Sequence, residues 1–260
     1  MTPSDVTAPS VPRLELRGVA KSFGAVRALD GVDLEVYSGE VIGLVGDNGA
    51  GKSTLVKVIS GNLNPYEGEV RFEGETAQLR SPKAAGNLGI ATVYQDLALC
   101  DNLDVVANLF LGRATTRWRG LSRTLDEESM ERGTLDVLER LGVRTVRNVR
   151  ATVASLSGGQ RQSIAVARAV MWNSKIVLLD EPTAALGVEQ SRQVLELVKR
   201  LRAQGLAVVF VSHNLADVFE VADRVVVLRL GRVAANFRTT GTTAEEVVAA
   251  ITGAEFGRTV

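Results

Sequence analysis

Short stretches of this chain consist almost entirely of aliphatic residues, and such stretches are stable as strands only when both of their faces are covered. Residues 41–45 (VIGLV), 176–179 (IVLL), 207–211 (AVVFV) and 224–230 (RVVVLRL) are of this kind. They alternate with segments whose apolar residues recur at three- and four-residue spacing, at 188–203, 215–221 and 244–251. Buried strands alternating with amphipathic helices predict an α/β fold with a mostly parallel sheet, covered by helices on both faces. In that architecture ligands sit beyond the carboxyl ends of the strands, so the residues following these runs are where chemistry is expected.

Residues 14–19, 32–36, 68–72, 90–94 and 232–236 read as further strands, with a turn at 37–40, and the run 55–59 reads as a helix stopped by Gly61 and Pro65. The middle of the chain differs. Residues 103–111 and 126–141 have helical spacing with almost no strand candidates, which predicts a helical subdomain, about 97–172, inserted between strands. Residues 113–123 hold four Arg and one Trp and read as a solvated loop, a membrane surface or a partner being the other reading. Residues 1–12, rich in Pro, Ser and Thr, read as a flexible tail, leaving 13–260 as the folded unit.

Thirty basic and thirty acidic residues balance to a formal charge of zero, so whole-chain charge gives no footprint for nucleic acid. A single cysteine, Cys100, rules out an internal disulfide, and a single histidine, His213, rules out a His-rich metal centre. No apolar run approaches the roughly 18–20 residues of a membrane span, and the N-terminus lacks a signal-peptide pattern. A cytoplasmic chain that reaches a membrane only through a partner is the expectation.

Residues 46–54 read GDNGAGKST, between the strand 41–45 and a helix, the context in which a GxxxxGK motif followed by Ser or Thr binds phosphate. Gly46, Gly49 and Gly51 permit a tight backbone path on which the amides of Asp47, Asn48, Ala50 and Thr54 converge, and the helix start adds positive potential. A polyphosphate belongs there, with Lys52 reaching the β- and γ-phosphates and the Ser53 hydroxyl ligating Mg²⁺. The strand 176–179 ends in Asp180 and Glu181. These carboxylates could be a plain strand-end cap; beside a phosphate loop, Asp180 fits a Mg²⁺ carboxylate and Glu181 a group that polarises attacking water.

Residues 156–160 read LSGGQ at the head of a helix predicted over 161–171. Alone this is a helix cap; with the phosphate loop and the LLDEP strand it resembles the ATP-binding cassette family. The resemblance implies a P-loop ATPase fold with an N-terminal antiparallel β subdomain, and a head-to-tail homodimer in which Ser157, Gly158, Gly159 and Gln160 cover the nucleotide on the partner's Lys52. It implies ATP and Mg²⁺ as ligands and further site residues. Gln95 resembles the glutamine that touches Mg²⁺, His213 the switch histidine on the γ-phosphate, and Phe23 the aromatic that stacks on adenine. Read singly, these are a solvated Gln, a structural His and a core Phe.

One position departs from the pattern: where the family usually has Asp after the DEP strand, this chain has Gly187. The variant stretch DEPTAALG, with GDNGAGKST, VYQDLAL and SHNL, resembles ATPases of monosaccharide importers of the ribose, xylose and fructose type. The single set of motifs resembles the one-cassette form. The resemblance implies an ATP-hydrolysing importer subunit at the cytoplasmic face of the membrane, held there by polytopic permease subunits and served by a sugar-binding protein, with no nucleic acid as partner. An importer for another solute, such as a branched amino acid or nucleoside, and a cytosolic cassette acting on DNA or ribosomes are the alternatives.

Overall fold

Period-two alternation along the buried strands divides the interior into two cores. The computed structural model describes residues 11–65, 67–119 and 122–254, and residues 1–10 of the expected tail lie outside them. Its larger sheet has β3 (Val41–Val45), β6 (Ile90–Val93), β9 (Ile176–Asp180), β10 (Ala207–Val211), β11 (Arg224–Arg229) and β12 (Arg232–Arg238), in the spatial order β12-β11-β3-β10-β9-β6. All neighbours are parallel except β11 and β12. Val41, Val45, Val177, Leu179, Val208 and Phe210 enter one core, while Ile42, Leu44, Ile176, Leu178, Val209 and Val211 enter the other. β3, β10 and the apolar part of β9 are buried on both faces, which is why their sequence carries no polar alternation.

The second core is closed by a four-stranded antiparallel sheet, ordered β2-β1-β4-β5, of β1 (Leu14–Phe23), β2 (Val26–Val36), β4 (Glu67–Phe72) and β5 (Glu75–Thr76). Between the sheets lies α1 (Lys52–Ile59), which buries Leu55, Val56, Val58 and Ile59. The first core is closed by α5 (Gly158–Val170), α6 (Val188–Ala203), α7 (Leu215–Val221) and α8 (Ala244–Thr252), with α3 (Val105–Leu109) and α4 (Glu127–Arg140). A short helix, α2 (Pro82–Asn87), precedes β6, with Ser81 as N-cap and Pro82 in its first turn. None of the described helices is long and apolar enough to cross a membrane.

The structure corrects the sequence reading in several places. The first two strands are longer than 14–19 and 32–36, β6 stops at Val93, α1 starts at Lys52 rather than after Thr54, and α5 starts at Gly158 rather than Arg161. The middle region holds a two-stranded hairpin, β7 (Thr116–Arg119) and β8 (Ser122–Leu125), where a loop was expected. It leaves Trp118 and Leu125 largely exposed, so it imposed no apolar alternation that could be read.

One buried polar side chain organises the chain between β6 and α3. Asn108, fully buried, accepts from the Cys100 N–H at 2.8 Å and donates to the carbonyls of Cys100, Leu103 and Asp104 at 3.0, 3.3 and 3.0 Å. Asn108→Ala leaves the buried Cys100 N–H without its acceptor, while the three carbonyls keep the backbone N–H groups of Leu103, Val153 and residue 108; it should cost about 1–3 kcal/mol of unfolding free energy, read as a lower urea midpoint. A change below about 0.5 kcal/mol, the size of an ordinary surface substitution, would show that the loop does not depend on it.

Candidate active site

Parallel pairing brings the ends of four strands to one edge of the sheet. Val211 lies opposite both Leu44 and Asp180, and Val93 opposite Leu179, so Gly46, His213, Glu181 and Gln95 all emerge beyond the same edge. Stretches far apart in sequence thereby become neighbours.

The loop after β3 has room for glycine alone at two places. Gly46 has φ +152°, and a Cβ there would stand 2.2 Å from the Leu228 carbonyl oxygen; Gly51 has φ +108°, and its Cβ would stand 2.6 Å from the Ala28 oxygen. The turn between β11 and β12 closes the other side, with the Gly231 N–H on the Ala50 carbonyl at 3.0 Å. Asp47, Asn48 and Gly49 are exposed. Lys52 folds back over the loop and donates to the Gly46 and Asp47 carbonyls at 2.7 and 3.0 Å. Gly51, Lys52, exposed Ser53 and Thr54 head α1, which has no side-chain cap and no acidic residue in its first turn. By contrast α5 and α8 both carry complete capping boxes. The open end of α1 therefore leaves backbone N–H groups free of a side-chain cap, an arrangement suited to an anion.

Across the sheet edge, Asp180 closes β9 and Glu181 follows with φ +51°. The Glu181 N–H is held by the Val211 carbonyl at 3.0 Å, and its Oε2 meets His213 Nδ1 at 2.8 Å. Asp180 is half-buried, and burial, reinforced by the Glu181 charge, pushes its carboxyl above the usual range, with Lys52 and Lys57 opposing. A buried hydrogen bond from Thr183 to Asp217 at 2.7 Å ties the Glu181 loop to α7, the helix that follows His213. Sequence reading missed this link, for which Asp217 in the first turn of α7 is the only visible sign.

The remaining expected residues stand on other elements. Phe23 ends β1 half-exposed, with the Lys21 ammonium 5.8 Å from its ring centroid, and Gln95 is exposed two residues beyond β6. Ser157 is the N-cap of α5: Gln160 donates its N–H to the Ser157 hydroxyl, accepts the Ser157 N–H at 2.9 Å, and donates to the Thr145 carbonyl. Gly158 and Gly159 pack where a Cβ would stand 3.1 Å from Leu186 and 3.0 Å from Gln190, so this helix start leans on the chain just past Glu181. Gly187 is the N-cap of α6, makes no side-chain cap, and has open space where a Cβ would be.

A phosphate-cradling loop facing a paired carboxylate and histidine at the ends of parallel strands defines a P-loop nucleoside triphosphatase. The family model described as ABC transporter matches residues 29–184, and the chain belongs to that family. It is 48% identical to the fructose import ATP-binding protein of Rhizobium meliloti, over 94% of this chain and 95% of that one. Identity to the xylose/arabinose import ATP-binding protein of Sulfolobus acidocaldarius is 45%, over 94% and 96%. A ribose import ATP-binding protein of Burkholderia pseudomallei is 42% identical over 94% of this chain, which spans 47% of that relative. Among solved structures, an ATP-binding cassette of an ABC transporter in its ADP conformation superposes with a TM-score of 0.77 at 28% identity, over 93% and 95% of the two chains. A dimeric cassette in a post-hydrolysis state with ADP and phosphate gives 0.72 at 27%, over 88% and 100%.

Two substitutions test this geometry. Gly51→Ala should weaken ATP binding by at least about tenfold in equilibrium titration, since the added methyl displaces the loop from Ala28; unchanged affinity would contradict the required path. Gly187→Asp should be accepted and raise stability by about a few tenths of a kcal/mol through a new N-cap, seen as a higher thermal midpoint, whereas destabilisation would mean the site is closed.

Proposed function

We propose that this chain is the ATP-hydrolysing, energy-coupling subunit of an ABC importer for a monosaccharide, acting as a homodimer on the cytoplasmic face of the membrane. The observation that carries the chemistry is the 2.8 Å pair between Glu181 and His213, set at the sheet edge shared with the phosphate loop. The sugar is supported by the relatives, whose names describe import of fructose, xylose or arabinose, and ribose. In this reading the stretch from about 97 to 172 is the helical subdomain that, with Gln95, passes motion to polytopic permease subunits, and a sugar-binding protein delivers the solute.

The loop amides and Lys52 bind the phosphates of ATP, and half-exposed Phe23 offers its face to adenine. Mg²⁺ fits the residues present, because the Ser53 hydroxyl, the Gln95 amide and Asp180 are hard oxygen donors, and Asp180 is a partly buried carboxylate facing another negative charge. Bound there, the ion would neutralise charge on the β- and γ-phosphate oxygens. Glu181 accepts a hydrogen bond from the attacking water and orients it in line with the γ-phosphate, while His213 holds the Glu181 carboxylate and supports the developing charge. Ser157, Gly158 and Gly159 cap the γ-phosphate bound by the partner subunit, a role in keeping with the dimeric cassette above.

Glu181→Gln keeps shape and volume and replaces the charged, basic carboxylate with a neutral amide. It should still bind ATP and form an ATP-dependent dimer, with turnover lowered about 10²–10⁴-fold; a persistent monomer with full turnover would refute the role. Loaded with ATP, the same variant should capture a polytopic membrane protein from detergent-solubilised membranes of its cell. Recovery of ribosomal or DNA-associated proteins alone would sink the importer reading.

A further inference from the structure

The loop that begins at Gln95 is held by side chains from two helices rather than by its own backbone. Among the described residues, no backbone–backbone hydrogen bond is made by residues 95–99. Arg168, in the last turn of α5, donates from Nη2 to the Leu97 carbonyl at 3.0 Å and from Nη1 to the Ala98 carbonyl at 2.8 Å. Ala98 itself has φ +50°, a left-handed turn uncommon outside glycine and asparagine, and this conformation lets consecutive carbonyls accept from one guanidinium. Further along, Asn108 fixes the chain from Cys100 to Asp104 to α3.

A plain structural account of Arg168 is a cation at the C-terminus of a helix, favourable to the helix dipole. That account does not explain where the guanidinium goes. It is partly buried, it forms no ion pair among the described residues, and its hydrogen bonds run to a loop seventy residues earlier instead of to the last carbonyls of α5. Withdrawing a permanent charge from water onto two carbonyls is costly unless their placement matters. The nearest candidate for what it places is Gln95, two residues before Leu97.

We propose that Arg168 is a positioning residue for Gln95: it fastens the Gln95 loop to α5, and so presents the Gln95 amide to the metal–nucleotide held at the phosphate loop. Because the N-cap of that same helix is Ser157, contact of Ser157 with the partner's nucleotide and the placement of Gln95 are two ends of one element. Arg suits the task through its fork of donors, which spans both carbonyls; the single ammonium of Lys cannot hold both in the same geometry. This inference rests on the reading of Gln95 as a Mg²⁺ contact, and its test separates the two.

The test is equilibrium binding of a fluorescent ATP analogue to the full-length chain across a Mg²⁺ titration, in the Glu181→Gln background so that nothing is hydrolysed. Gln95→Ala should raise the Mg²⁺ midpoint, and Arg168→Gln should raise it to a similar extent, about tenfold, as loss of an outer-shell partner does. Affinity for the analogue without Mg²⁺ should stay unchanged in both, and the double variant should show no further shift, as for residues acting through one contact. Arg168→Lys keeps the charge and guards against a folding failure; it should give a smaller shift in the same direction. If Gln95→Ala moves the midpoint while Arg168→Gln and Arg168→Lys lower only the thermal midpoint, Arg168 is structural and the inference fails. Additive shifts in the double variant would overturn it as well. If Gln95→Ala itself leaves the midpoint in place, the reading of Gln95 falls, and this inference falls with it.

Discussion

In-register pairing of fully buried parallel strands is the constraint from which the site follows. β3, β10, β9 and β6 are adjacent in that order, and their ends are aligned to within a residue. At about 4.8 Å between neighbours, four strand ends span about 14 Å, and every residue just beyond them faces the same space. A slip of one residue in any strand would exchange its two core faces, which two separate hydrophobic cores do not allow. The packing that makes the fold stable thus also fixes where Gly46, His213 and Glu181 stand relative to one another, and starts the loop of Gln95 at the same edge.

Charge is distributed unevenly around the site. Lys52 is tethered by two carbonyls of its own loop, which limits its side-chain freedom. The head of α1 keeps its N–H groups uncapped, while α5 and α8 satisfy theirs with Ser–Gln and Thr–Glu boxes. Facing this positive loop, Asp180 and Glu181 end a buried strand as adjacent carboxylates, and burial with the Glu181 charge holds the Asp180 carboxyl above its usual range, a cost that a cation there would relieve. Glu181 is meanwhile held by His213 and kept on a positive φ by the Val211 carbonyl, so its carboxylate is aimed by two strands rather than by one flexible side chain. A left-handed non-glycine residue at this point fits the tendency of strained backbone to cluster at functional sites.

Much of this was legible in the sequence because the determinants are local or periodic. VIGLV, IVLL and AVVFV announce two-sided burial, and GDNGAGKST between a strand and a helix defines its own backbone path. What was not legible depends on tertiary partners. The hairpin β7–β8 leaves Trp118 and Leu125 exposed, so it left no pattern, and α2 is a six-residue helix whose main sign is Ser81-Pro82. Helices α1 and α5 begin earlier than their apolar spacing suggests, because their first turns hold glycine and polar residues, which leave no apolar mark. The Thr183–Asp217 and Arg168–Leu97 bonds join residues 34 and 71 positions apart and have no local signature at all.

Helix α5 joins these parts. Its first turn is rigidified by the Ser157–Gln160 box and wedged through Gly158 and Gly159 against Leu186 and Gln190, just past Glu181. Its last turn carries Arg168 and, through it, the loop of Gln95. From Ser157 to Arg168 the helix runs about 16 Å at 1.5 Å per residue, and the consecutive burial of Ile164, Ala165, Val166 and Ala167 encloses it on all sides there. A packed helix of this length moves as a unit, since its own hydrogen bonds and its core contacts resist bending more than a loop resists displacement. Contact at the Ser157 end therefore cannot leave the Gln95 end unaffected. In the proposed homodimer, with Ser157 on the partner's nucleotide and Gln95 on its own, this geometry would couple the two sites through the protein without requiring the nucleotides to touch.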